Sequence, residues 1–142
     1  MISENPDINK IVDIAVSKAT KLRHQYVSLE HLLYGIIQDK EFLALLLELN
    51  VDMDGLREEL EEYLDNRTDI PTSKTGEAQK THALERVFNR AYTQVLLSGR
   101  TQMDAIDLYL SILSETNTHA CYFLLKYINS KEEIMKVLQD KK

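Results

Sequence analysis

A single cysteine, Cys121, leaves this chain unable to close an internal disulfide, so no cross-linked framework holds it and a reducing compartment suits it. Only four glycines occur, at positions 35, 55, 76 and 99, and they stand too far apart to make a phosphate-cradling loop. Hydrolysis of a nucleotide by this polypeptide alone is therefore not expected. No apolar run approaches the ~18 residues a membrane helix needs. The opening stretch MISENPDINK is acidic and lacks an apolar centre, so no secretory signal is expected there. Basic residues are outnumbered, 17 against 23 acidic ones, for a net charge of −6, which argues against nucleic acid as a partner. These absences point to a cytoplasmic, soluble, protein-facing chain.

The 142 residues that remain, 44% of them hydrophobic, suffice for one domain with a real core. Their main feature is an internal echo. Between Ile11–Leu60 and Val87–Leu138, apolar positions recur in register: Ile11 with Val87, Ala15 with Ala91, Val27 with Met103, Leu32 with Leu108 and Ile36 with Ile112. The offset is 76 (87 minus 11), and past the third helix it becomes 78, pairing Leu56 with Ile134 and Leu60 with Leu138. A repeat this long, present only twice, reads as a pseudo-symmetric pair rather than a solenoid.

Apolar residues at i, i+3, i+4 spacing predict a first helix from about Asp7 to Leu22. Ser28 is positioned to cap a second, Lys40–Leu49 forms a third, and Asp52 caps a fourth. Thr81 caps a fifth helix that Gly99 ends, and Asp104 caps a sixth at the position Ser28 holds in the first copy. A seventh carries Ala120, Phe123, Leu124 and Tyr127; Ser130 with Glu133 forms a capping box for an eighth bearing Ile134, Val137 and Leu138. No segment alternates with period two, so strands are not expected. The fold class is all-α: eight short helices in two pseudo-twofold-related four-helix repeats sharing one core. The organisation is one domain over residues 1–142, with repeat one at about 8–64, a polar linker at about 65–80 and repeat two at about 81–140.

Chemistry-bearing candidates are few. His24, His31, His82 and His119 lack the tight ligand pairs of a zinc site and read as surface or helix-end residues, so no metal is expected. Ser28, Glu30 and His31 could suggest a hydrolase, but Ser28 is better explained as a cap and nothing supplies an oxyanion hole, so no catalytic residue is assigned. From Asp52 to Asp69 eight acidic residues face only Arg57 and Arg67. They form either the solvated outer face of helix four or a docking face for a basic partner.

The run RHQYVSLEHLLYGI (23–36), its weaker echo GRTQMDAIDLYLSI (99–112) and the stretch NVDMDGLREELEEYL (50–64) together carry a resemblance. They resemble the double Clp-N motif at the amino end of Clp-family AAA+ unfoldases, closest to the ClpA branch. The resemblance implies an all-helical module without catalytic activity, tethered to ATPase rings that would hold the parent's ATP, with no cofactor of its own. It implies docking of a ClpS-like adaptor and delivery of protein substrates for unfolding and degradation. The adaptor-binding residues it carries over are Gln25, Glu30 and Thr81, position 25 departing from the usual Glu of that branch. On that basis Glu30→Arg is expected to weaken adaptor binding and leave helical content intact. The alternatives are a ClpC-type module taking other adaptors or tagged substrates, or a free-standing regulator. The ClpC branch binds phosphoarginine through a glutamate in each repeat, and here the echo of Glu30 is Ile106, which accepts no hydrogen bond.

Overall fold

The computed structural model describes residues 3–128, 132 and 134–136. The elements run α1 (Pro6–Lys21), β1 (Tyr26–Val27), α2 (Leu29–Ile36), α3 (Lys40–Glu48), α4 (Met53–Asp65), β2 (Gln79–Lys80), α5 (His82–Leu97), α6 (Ala105–Ile112) and α7 (His119–Tyr127). Residues 132 and 134–136 are helical where an eighth helix is expected, and Ile134 is fully buried. The capping box at Ser130 and Glu133, together with Val137 and Leu138, lies outside the described residues.

Short polar side chains start the helices. The side chains of Asn5, Asp39, Asp52, Thr81 and Thr118 each accept a first-turn backbone N–H. Ser28 and Asp104 cap differently, through the third helical residue: His31 and Asp107 each accept the backbone N–H of their own cap, at 2.9 and 2.8 Å. α2 and α6 are apolar nearly all round, and both sink into the core. α1 packs on α2, α5 packs on α6, and α2 meets α6 between them. Phe42 from repeat one and Tyr109 from repeat two touch with ring centroids 5.6 Å apart. One continuous core therefore serves both copies.

The pseudo-twofold shows in reciprocal contacts. A twofold relation requires that if residue i of one half meets j of the other, then j's counterpart meets i's. Tyr26 pairs in parallel with Gln79, and Ser3 pairs in parallel with Gln102, which are the same contact with each partner moved by 76 (102 minus 26, 79 minus 3). Thr81 donates its N–H to the Val27 carbonyl, while Asn5, its counterpart, donates from its side chain to the Met103 carbonyl. Arg23 and Gly99, again 76 apart, both take left-handed backbone at φ 61° and 75°. Glycine adopts that conformation freely; Arg23 must be held in it by the turn into β1.

Two details differ from the sequence reading. The slip in register comes one element earlier, between α6 and α7. Phe42, Leu45 and Leu46 of α3 correspond in burial to Ala120, Phe123 and Leu124 of α7, an offset of 78 (120 minus 42). The connection after α6 is simply longer than the one after α2. A two-residue parallel ladder, β1–β2, also appears. At that length no alternation of polarity can be seen in the sequence.

Candidate functional site

The polar stretch 65–80 is pinned against the α1–β1 turn. Gln25 donates its N–H to Pro71 and accepts from Gln79 N, while Ser73 N–H donates to the Arg23 carbonyl. These bonds set Gln25 and Thr81 at opposite ends of one short ladder, roughly 10 Å apart along the strand direction. Both side chains are half-buried at the surface, and the Thr81 hydroxyl accepts Leu84 N–H at 3.2 Å. Beside them lies a groove of 330 Å³ between α1 and α5, lined by Val12, Lys80, Leu84, Glu85, Phe88 and Asn89.

Glu30 does not share that surface. It sits on the first turn of α2, is 4% exposed, and faces inward. One oxygen meets the Arg67 guanidinium at 2.9 Å, and the other accepts Ala120 N–H at 2.8 Å, at the start of α7. A carboxylate there complements the positive end of the α7 dipole. Glu30 thus ties repeat one, the polar stretch and repeat two together. The expectation that Glu30→Arg leaves the fold intact is corrected by this burial: a second guanidinium would face Arg67, and Ala120 N–H would lose its acceptor. Ile106, at the echo position, packs against the core.

Around Glu30 lies a buried network that corrects the reading of two histidines as surface groups. His31 is fully buried and His24 nearly so, and their Nε2 and Nδ1 atoms are 2.9 Å apart. Ser28 N–H donates to His31 Nδ1, so His31 carries its proton on Nε2 and donates it to His24 Nδ1. The Ser28 hydroxyl accepts from Arg67 at 2.6 Å and lies 2.8 Å from His31 Nδ1. Burial first, then the neighbouring His24 and Arg67, push the His31 pKa down to about 3; burial and then Arg67 also lower that of His24. An added proton on His31 Nδ1 would oppose the Ser28 N–H.

A histidine whose folded pKa lies below its unfolded value contributes stability at neutral pH and loses it as pH falls through the unfolded value near 6.5. At about 1.4 kcal/mol per pH unit, His31 alone predicts a loss of about 2 kcal/mol between pH 6.5 and 5. Urea midpoints across that window measure it, and His31→Gln should flatten the slope. An unchanged midpoint between pH 7 and 5 would contradict the buried neutral pair.

The network is a poor reaction centre. The Ser28 oxygen is held by an arginine, the His31 lone pair is already taken, and the imidazole has no access to solvent. Among the described residues no group of three His, Cys, Asp or Glu side chains could hold a metal ion. His82 is exposed, and His119 stacks on Tyr63 at 4.4 Å. In repeat two, Asp107 takes the place of His31 and pairs with Arg100, while Glu115 holds both Arg86 and Arg90. No described helix is long and apolar enough to cross a membrane.

Two interlocked helical repeats joined by a short surface ladder define a class, the duplicated helical domain. The chain belongs to the Clp repeat (R) N-terminal domain family, which it matches over residues 5–127. It is 29% identical over 119 residues, 82% of its length, to a ClpA homolog protein of Fuscovulum blasticum, and it spans 15% of that relative. Among solved structures it resembles the N-terminal domain of the ClpV1 ATPase of the E. coli EAEC Sci1 T6SS. That match has a TM-score of 0.76 at 23% identity and covers 94% of this chain and 82% of the other. The Hsp104 N-terminal domain of Candida albicans matches with a TM-score of 0.74 at 14% identity, covering 94% and 85%. Both structural matches are likenesses of fold.

Proposed function

We propose that this chain is the adaptor- and substrate-docking module of a ClpA-like, ATP-dependent Clp protease unfoldase. It binds a ClpS-type adaptor and hands protein substrates to ATPase rings elsewhere in the parent protein. The module itself catalyses nothing and needs no cofactor; its setting is the cytoplasm. The observation that carries the reading is the placing of Gln25 and Thr81 at the two ends of the β1–β2 ladder, beside a groove of mixed polarity. Exposed polar groups around a partly apolar groove are what a protein partner uses: the groove supplies buried area, the polar rim supplies register. Gln25, as a neutral amide, offers the adaptor a hydrogen bond where a carboxylate would offer an ion pair. Thr81 keeps its cap and presents the start of α5. Glu30 acts from beneath as a positioning residue, holding the end of β1 against α7.

Gln25→Arg is expected to weaken adaptor binding about tenfold, since a bulky cation replaces a central hydrogen-bonding group, while helical circular dichroism stays unchanged. Titration calorimetry with a ClpS-type adaptor measures it. Equal affinity for both proteins would remove Gln25 from the interface.

A further inference from the structure

A cleft of 680 Å³ lies away from the β1–β2 ladder, between α4, residues 66–69 and α7. Aromatic side chains wall it: Tyr63, Phe123 and Tyr122, the last 52% exposed. Glu59, Glu62 and Asp69 rim it, against one guanidinium, Arg67. The cations already present are engaged. Arg67 lies over the Tyr63 ring at 5.2 Å with its donors on Asp69, Ser28 and Glu30, and Lys126 lies 6.0 Å from the Tyr122 ring with its ammonium on Glu59. Both walls therefore seat a cation over an aromatic face, and Glu62 is left over.

Glu62 also ends a stripe. Asp54, Glu58 and Glu62 recur every fourth residue along the exposed face of α4, and none enters an ion pair among the described residues. Like charges at that spacing repel and weaken the helix that bears them. Four residues of helix advance about 6 Å, close to the roughly 6.6 Å between alternate residues of an extended chain. A row of carboxylates so spaced matches an extended segment with basic residues at every second position. The cleft at its end suits an apolar or aromatic side chain that leaves water.

We propose that the α4 stripe and the α4–α7 cleft together bind an extended basic segment of a protein, with alternate Lys or Arg side chains on Asp54, Glu58 and Glu62 and an apolar anchor against Tyr122. This gives the substrate-docking part of the proposed function a second face and a chemical preference. It does not use the adaptor face, so its test requires no adaptor and its failure would leave the Gln25 experiment standing.

The probe is a short fluorescent peptide with three arginines at alternate positions and a terminal leucine, titrated by anisotropy into the full chain. The expected result is binding about tenfold tighter than that of the same peptide with glutamates in place of arginines, weakening as salt rises from about 50 to 300 mM. Glu62→Lys and Tyr122→Ala should each weaken it about fivefold or more, while a charge reversal at the exposed Asp13 of α1, Asp13→Lys, leaves it unchanged. Three results would overturn the proposal: no measurable binding, equal loss with Asp13→Lys, or equal affinity for a peptide whose arginines are contiguous. Self-association abolished by Glu62→Lys would likewise overturn it, by assigning the face to a second copy of the chain.

Discussion

Arg67→Met is expected to reduce the unfolding free energy by about 3–5 kcal/mol, the range for removing one partner of a buried ion pair. The guanidinium is spread over three partners: two nitrogens on Asp69 at 2.7 and 3.1 Å, and the third on Ser28 at 2.6 Å and Glu30 at 2.9 Å. Side-chain exposure is 9% for Arg67 and 5% for Glu30, so water cannot replace what the substitution removes. Glu30 would be left buried with only the Ala120 N–H against its charge. Arg67→Lys should recover little of the loss, because a single ammonium cannot span three acceptors in different directions. Urea unfolding at pH 7 measures both variants. A loss below about 1 kcal/mol for Arg67→Met would mean that the pair behaves as a solvated surface contact.

Gly35→Ala is expected to destabilise the chain by about 2 kcal/mol, although alanine favours an isolated helix over glycine by nearly 1 kcal/mol. A Cβ at Gly35 would stand 2.4 Å from the Ile11 carbonyl oxygen, and this neighbour is α1 backbone that cannot swing aside. Relief requires α1 and α2 to separate along their main contact. Repeat two solves the same crossing differently. The counterpart of Gly35 is Ser111, whose hydroxyl donates to the carbonyl of Val87, the counterpart of Ile11, at 2.8 Å. One crossing is closed by the absence of a side chain and the other by a hydrogen bond. Thermal unfolding distinguishes the outcomes: a raised melting temperature for Gly35→Ala would show that α1 and α2 do not approach this closely.

Most of the helical layout was legible because its signals are local. Ser28, Asp52, Thr81 and Asp104 announce helix starts, and the 76-residue echo announces the pairing of copies. The contacts between copies were not legible, since β1 and β2 are two residues each and show no periodicity. The network around Glu30 escaped for another reason. Arg67 stands in a polar stretch with almost nothing to bury, and its buried partners Ser28 and Glu30 lie at the start of a helix far away in sequence. One signal was available: Glu30 and His31 interrupt an otherwise apolar LEHLLYGI, and buried polar groups need partners. That signal marks Glu30 as a residue held within the fold. Gln25 and Thr81 are the two carried-over positions at the surface.

The docking account is tested most directly by following backbone amide shifts of the labelled chain as a ClpS-type adaptor is added. The account predicts that the largest changes fall at residues 25–27 and 79–89, on the ladder and the α1–α5 groove. Changes centred on α3, or none at saturating adaptor, would contradict it.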